Sequence, residues 1–288
     1  MKVCGGPMAR RNMMYSKVDI TMPDFTNRTA FITGAARGQG RACAIALARE
    51  DADILAFDLG KKIEYPAYAC EAGDELVSLQ AEIEAVGRKC VIALGDVRDS
   101  EALKTATQAA VTAFGRIDIL FNNAGICAYA EIDKMTDVEM DAMIDINLKG
   151  PMLAARHIVP VMKAQNSGVI INNSSVMGLR GGRRLSHYAA SKWGLTGLTK
   201  SWAIELAPWN IRVVSIHPTG VNTPMNDGLA ALEGKTPMEI AEASAGNLQP
   251  VPWIEPEDVA ELVLYLASDR ARFVTGGQFA LDAGLLSV

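Results

Sequence analysis

From Thr29 onward, short apolar runs alternate with longer stretches whose apolar residues recur every three to four positions. The short runs predict strands at Thr29–Thr33, Asp53–Phe57, Lys89–Leu94, Ile117–Asn122, Val169–Asn173, Arg212–His217 and Gln278–Leu281. The longer stretches predict helices at Gly40–Glu50, Asp74–Val86, Ser100–Phe114, Asp137–Asn147, Pro151–Gln165, about His187–Leu206 and Pro256–Ala267. Gly87 and Gly115 close two of these helices. Runs such as Val169–Asn172 (VIIN) are apolar at consecutive positions, as expected of a sheet covered on both faces. Strands alternating with helices predict an α/β fold: a single Rossmann-type domain, with a doubly wound parallel sheet and helices on both faces. Such sheets bind ligands outside the carboxyl ends of their strands. The residues just past each strand are therefore the first candidates for chemistry.

Two segments depart from this rhythm. Residues 1–23 are irregular and mixed, without the apolar run of a signal peptide, and read as a tail ahead of a catalytic domain at 24–288. Residues 222–253 are rich in Pro, Met, Ala and Gly; a long irregular stretch of this kind in a compact domain reads as a substrate lid. No run approaches the roughly 18 apolar residues of a membrane span.

Composition narrows the function. The 288 residues are 49% hydrophobic and 21% charged, with a net charge of −5 and both signs scattered. That speaks for a full globular core and against the basic face of a nucleic-acid binder. The five cysteines form no C-x-x-C pair, and the three histidines have no metal-ligand spacing. A reduced, cytoplasmic protein with no metal site is expected. The Arg183-Arg184 pair reads as exposed surface.

Past the first strand stands Thr33-Gly34-Ala35-Ala36-Arg37-Gly38-Gln39-Gly40. Glycines there permit a tight turn and close approach of backbone to a pyrophosphate, which the next helix attracts through its free N–H groups and positive dipole. Asp58 ends the second strand, 18 residues past Gly40. A carboxylate there accepts hydrogen bonds from ribose hydroxyls and repels a 2′-phosphate, so NAD is expected over NADP. Arg37 pulls the other way, but Asp58 is nearer the discriminating hydroxyl. Asp96-Val97 follows the third strand and Asn122-Asn123-Ala124-Gly125 the fourth, both at carboxyl strand ends. Tyr188 and Lys192 stand four apart and share one helix face. A neighbouring ammonium stabilises a phenolate, and a phenol so tuned exchanges a proton with an alcohol or carbonyl oxygen while hydride moves at carbon. Ser175, just past the fifth strand, can hold the same oxygen.

With these motifs in order, the chain resembles the short-chain dehydrogenase/reductase family from Asp24 to Val288. The matching residues are Thr33-Gly34-x-x-x-Gly38-x-Gly40, Asn122-Asn123-Ala124-Gly125, Asn147, Ser175, Tyr188-x-x-x-Lys192 and Val274-Thr275-Gly276-Gly277. The resemblance implies that Asn147 completes a catalytic tetrad with Ser175, Tyr188 and Lys192, holding a water that links Lys192 to solvent. It implies that Asp96 and Val97 contact adenine, that Asn123 lines the adenosine side, and that Lys192 also holds the nicotinamide ribose. Pro218, Gly220, Val221 and Thr223 match the nicotinamide loop, and a homotetramer packed partly through the Tyr188 helix is the family's usual assembly. Two departures stand out: Thr219 replaces the usual glycine after Pro218, and the connection from Asp58 to Asp96 is long, with its surplus at about Lys61–Glu71. Both resemble the carveol-dehydrogenase-like subgroup, which includes enzymes coupled to the redox peptide mycofactocin. In that subgroup the extra loop covers the cofactor and can hinder its exchange.

The expected substrate is then an apolar, cyclic secondary alcohol or ketone of terpenoid, steroid or polyphenol type. Ile126, Cys127, Met177, Leu179, Met225, Leu229, Leu232 and Trp253 are candidate pocket walls. Tyr65, Pro66 and Tyr68 are expected to pack the extra loop over the adenosine half of the cofactor. Alternative readings are a nicotinoprotein with non-exchangeable NAD and a non-catalytic NAD-binding sensor or scaffold; the complete set of four catalytic residue types speaks against the second.

Overall fold

In a computed structural model, residues 24–61, 65–67, 73–244 and 246–287 are described. Seven strands form one parallel sheet in the order β3-β2-β1-β4-β5-β6-β7. They are β1 Thr29–Thr33, β2 Asp53–Asp58, β3 Cys90–Leu94, β4 Ile119–Asn122, β5 Gly168–Asn173, β6 Ile211–Pro218 and β7 Gln278–Leu281. The helices are α1 Gly38–Arg49, α2 Gly73–Ala85, α3 Ser100–Phe114, α4 Asp137–Ile144, α5 Gly150–Gln165, α6 Ser186–Leu206, α7 Pro224–Leu232, α8 Pro237–Ser244 and α9 Pro256–Ala267. All seven strands lie within two residues of their sequence-predicted limits.

Alternate strand residues serve two cores, which is why the strands are apolar at consecutive positions. Ile32, Ile54 and Ala56 pack with Cys43 and Leu47 of α1, Leu79 and Ile83 of α2 and Val263 of α9. Phe31, Leu55 and Phe57 face the other way, onto Leu103 of α3, Ile158 and Met162 of α5 and Leu206 of α6. Removing a side chain the size of Phe31 or Phe57 from water contributes about 2–3 kcal/mol each. The chain winds from β1 to β2 and β3, then returns to the far side of β1 to add β4. The β1/β4 boundary is therefore the switch point, where the splayed loops leave room for a ligand.

Two features differ from the sequence-based expectation. The helix predicted at Asp137–Asn147 changes at Ile144 into a π-helical turn, Asp145–Lys149, which leads directly into α5. Periodicity of apolar residues cannot register one added residue per turn, and π turns of this kind often mark functional sites. The segment 222–253 holds α7 and α8, each opening on a proline. Proline is well placed in a first turn because its missing N–H has no partner there in any case; read as a loop signal, it hid two helices. The 1–23 tail lies outside the described residues. Among the described residues no helix is long and apolar enough to cross a membrane, and no group of three or more His, Cys, Asp or Glu could hold a metal ion.

Candidate active site

One cleft opens at the switch point. The glycine loop after β1, the ends of β2 and β3, the Asn123-Ala124-Gly125 turn after β4, the end of β5, α6 and the start of α7 all border it. The turn out of β1 needs glycine: Gly34 has φ +67°, and a Cβ there would sit 2.9 Å from Cα of Ala124. Asn123 ties the loop to β4, donating from Nδ2 to the carbonyls of Thr33 (3.1 Å) and Gly34 (2.9 Å), while its N–H donates to Oγ1 of Thr33. The Asn123 carboxamide is thus committed to shaping the loop, even as the residue borders the cleft. α1 then starts at Gly38, so first-turn N–H groups without intrahelical partners stand at the cleft, a natural anion site.

The Asp58 carboxylate is held by two backbone donors, Ala36 N–H to Oδ2 (2.9 Å) and Leu59 N–H to Oδ1 (2.7 Å). Each oxygen keeps acceptor capacity toward the cleft that Asp58 borders. Arg37 is ion-paired with Glu75 of α2 at 2.8 Å. The guanidinium that could have welcomed a 2′-phosphate is therefore partly neutralised, and the contest falls to Asp58. Asp96 and Val97 also border the cleft. Burial alone would raise the Asp96 pKa, but hydrogen bonds from the Arg98 side chain and N–H outweigh it and hold the carboxyl below its usual range.

On α6, Tyr188 and Lys192 face the cleft one turn apart, with Nζ of Lys192 5.6 Å from the Tyr188 ring centroid. Lys192 is buried and donates to the Asn173 carbonyl at 2.8 Å. Burial draws its pKa down to about 8. Burial pushes the Tyr188 phenol above its ordinary value, and the nearby Ser175 side chain works only partly the other way. The expectation that the ammonium sets a lowered phenol pKa is thus corrected: in the protein alone, burial dominates. Ser175 opens a 3-10 turn, Val176–Gly178, and its Oγ accepts from the Met177 N–H at 3.1 Å. Asn147 sits in the π turn, where Oδ1 accepts from Ile126 N–H (2.8 Å) and Nδ2 donates to the Ile126 carbonyl (2.8 Å) and Ser191 Oγ (3.3 Å). Its side chain braces the start of the wall beyond Gly125.

Of the expected cofactor residues, Gly34, Arg37, Gly38, Gln39, Asp58, Asp96, Val97, Asn123, Ala124, Gly125, Tyr188, Lys192 and Thr223 all border this cleft. Gly40, Pro218, Gly220 and Val221 do not. Gly40 lies under the loop against Gly34, Pro218 pairs with Leu281 in the sheet, Gly220 is covered by the Trp253 indole, and Val221 is buried beside Ile254. Among the expected substrate walls, Ile126 and Met225 border the cleft, whereas Leu232 is 47% exposed and points outward. Arg184 is not bare surface: it makes a two-pronged ion pair with Glu233 (2.7 and 3.0 Å) and lies over the Tyr129 ring.

Sequence reasoning missed Phe57, Asn173 and Ser174, which border the cleft at the ends of β2 and β5. The rule that pointed to the residues beyond each strand, widened by two, would have found them. The described part of the extra loop also departs from expectation. The Tyr65 hydroxyl lies 3.3 Å from Nε2 of His187, next to Tyr188, rather than only beside the ribose end of β2. The rest of its core, including Tyr68, lies outside the described residues.

The profile of the family described as enoyl-(acyl carrier protein) reductase matches residues 34–286. (−)-trans-Carveol dehydrogenase of Rhodococcus erythropolis is 41% identical over 268 residues, covering 89% of this chain and 96% of its own. Cyclohexanol dehydrogenase of Acinetobacter sp. (strain SE19) is 34% identical over 267 residues, covering 91% and 96%. The crystal structure of carveol dehydrogenase from Mycobacterium avium in complex with NAD superposes with a TM-score of 0.89 at 39% identity, covering 93% of this chain and 100% of that one. The chain belongs to the short-chain dehydrogenase/reductase family. It is an NAD-dependent enzyme acting on CH–OH donors.

The Asp58 and Arg37 environments make a direct prediction. Asp58→Ala removes the repulsion of a 2′-phosphate and should narrow the NAD-over-NADP ratio of kcat/KM at least tenfold, about 1.4 kcal/mol. Glu75→Gln, which removes the Arg37–Glu75 ion pair, should add to that shift. A wild type that prefers NADP would overturn the assignment.

Proposed function

We propose that the protein interconverts a secondary alcohol and a ketone on an apolar, cyclic substrate of terpenoid, steroid or polyphenol type. The observation that carries this is the placing of Tyr188 and Lys192 one helical turn apart in the cleft, with the Lys192 Nζ 5.6 Å from the Tyr188 ring centroid. The glycine cradle, the α1 N-terminus and the acceptor capacity of Asp58 fit a dinucleotide. Bound NAD supplies the hydride acceptor or donor beside these groups. Ser175 holds the substrate oxygen, and Tyr188 takes or gives its proton. Lys192, fixed by the Asn173 carbonyl, supplies positive charge that favours the phenolate as the proton leaves. Asn147 keeps the Ile126 backbone, and with it the wall of the site, in register. Ile126 and Met225 provide apolar contact. α7 and α8 form a lid, clasped to the 178–185 loop by Arg184 and Glu233.

A second reading, a nicotinoprotein that retains its NAD, is favoured by one observation: Tyr65 of the extra loop reaches the amino end of α6 and bonds His187. An anchor at Tyr65 beside Tyr188 is what a loop that slows cofactor release requires. Four chains assembled partly through α6, which exposes Trp193 and Ile204, complete the proposed enzyme.

One preparation tests these points. The purified protein, its native mass determined by light scattering, is given NAD+ with trans-carveol, cyclohexanol and related alicyclic alcohols. NADH formation is expected. If reduction of an artificial dye occurs where free NADH does not accumulate, and heat-denatured protein releases stoichiometric NAD, the nicotinoprotein reading replaces free exchange. No turnover with either acceptor across the panel would sink the proposed substrate class.

A further inference from the structure

His217 is wholly buried near the carboxyl end of β6, the one histidine so placed, and no step above uses it. Its neighbours define its state. Nδ1 lies 2.8 Å from the Ser175 carbonyl oxygen, and Nε2 lies 2.9 Å from Ser215 Oγ. A carbonyl only accepts, so Nδ1 must carry the proton. Nε2 is then an acceptor in the neutral ring, and the Ser215 hydroxyl donates to it. Ser215 and His217 are two apart on one strand and so project from the same face of the sheet. Burial, together with the nearby Lys192 charge, disfavours a second proton on the ring, although the bond to Ser175 works the other way.

The register explains why this bond matters. Parallel pairing of β5 with β6 ends at Asn173 opposite Ile216. Ser174 still bonds across, N–H to the Ile216 carbonyl at 2.9 Å, and the chain then leaves the sheet at Ser175. Ser175 is thus the first residue beyond the ladder, at the point where β5 turns into the Val176–Gly178 turn. Its carbonyl is gripped twice, by the Gly178 N–H within its own turn (2.8 Å) and by His217 from the neighbouring strand. Only the second bond references Ser175 to the sheet. His217 also directly precedes Pro218-Thr219-Gly220, so one ring connects the loop after β6 to the serine after β5.

We propose that His217 is a positioning residue: through its Nδ1–H bond to the Ser175 carbonyl it sets where the Ser175 hydroxyl stands relative to Tyr188. The residue itself touches neither substrate nor the transferred proton. The proposal rests on the alcohol–ketone reading above for its kinetic consequence, but its structural consequence stands without any substrate.

The test uses three variants of the full-length protein. In His217→Asn, the amide nitrogen falls close to the position of Nδ1 and can donate to the same carbonyl. In His217→Gln, the amide nitrogen falls near Nε2, the wrong end. His217→Leu keeps bulk and removes both bonds. Displacements near 1 Å at a reacting centre cost on the order of 100-fold in rate. With NAD+ and cyclohexanol, kcat is expected to fall about 100-fold in His217→Leu and His217→Gln, with KM and the NADH dissociation constant changed less than about threefold. His217→Asn should recover most of the rate. Crystal structures of the same variants report on Ser175 directly: its hydroxyl should keep its wild-type position relative to Tyr188 in His217→Asn and shift by about 1 Å in His217→Leu. A His217→Leu structure with Ser175 unmoved, or equal rates for the Asn, Gln and Leu variants, overturns the proposal. If wild type turns over no cyclic alcohol while the structures follow the expected pattern, the substrate reading fails and the positioning role stands.

Discussion

Tyr188→Phe is expected to lower kcat by at least about 1000-fold while leaving NADH affinity within about twofold, since a positioned acid–base group contributes roughly 10²–10⁴ in rate. The ring and its packing stay; the variant removes only the hydroxyl. Burial keeps the wild-type phenol protonated through the neutral range, so it is ready to donate in ketone reduction. The phenolate left behind needs the Lys192 ammonium, whose pKa is drawn down to about 8. The sign follows: reduction should hold up to about pH 8 and fall above it as Lys192 loses its charge. Alcohol oxidation, which must begin by deprotonating a reluctant phenol, should rise with pH from neutrality. The residual rate of Tyr188→Phe should have neither limb. Initial rates in both directions between pH 6 and 10 check this, and turnover above a tenth of wild type in the variant would remove Tyr188 from the chemistry.

The lowered Lys192 pKa also has a consequence for folding. A lysine whose folded pKa lies below its unfolded value disfavours the folded state below the folded pKa, and the penalty is relieved as pH rises from about 8 toward 10.5. The Asn173 carbonyl offsets part of that cost. The site thus holds a charge where a packed apolar side chain would suit stability better, a trade often made at functional sites.

Much of this was legible in the sequence, for identifiable reasons. Fully buried strands such as β1 and β4 write their positions as unbroken apolar runs. The rule that ligands gather at carboxyl strand ends then converted strand limits into Asp58, Asp96 and the Asn123 turn. What escaped depended on geometry without period. The π turn at Asp145–Lys149 aims Asn147 at the Ile126 backbone through one extra residue that no hydrophobic pattern encodes. The Arg37–Glu75 and Arg184–Glu233 pairs join residues 38 and 49 positions apart. Such pairs look like scattered surface charge until the fold brings them together. Tyr65 meets His187 across 122 residues for the same reason. The Tyr188 environment was misjudged because spacing reveals a neighbouring lysine but not how deeply both are buried.

Gly40→Ala should cost the protein its cofactor, with NADH affinity reduced at least about 100-fold, or about 2.7 kcal/mol. The reason is contact, not backbone strain, since Gly40 belongs to the first turn of α1. A Cβ there would lie 2.0 Å from the Gly34 carbonyl oxygen and 2.6 Å from Nδ2 of Asn123. Those two atoms are themselves bonded to each other at 2.9 Å, the link that fixes the glycine loop against β4. No rotamer can relieve the clash, because the nearest atom is backbone. Either α1 must move away from the sheet by about 1 Å, or the loop must swing toward the cleft; overpacking of this kind typically costs about 1–3 kcal/mol in stability. Both responses displace the first-turn N–H groups and the Gly34 turn that the pyrophosphate requires. NADH titration by fluorescence, alongside a thermal melt, separates the effects: a melting point lowered by a few degrees with binding lost is the expected pair. Binding within threefold of wild type at an unchanged melting point would mean that the loop has a second conformation able to hold the dinucleotide, and the close approach of Gly40 to Gly34 would then be dispensable.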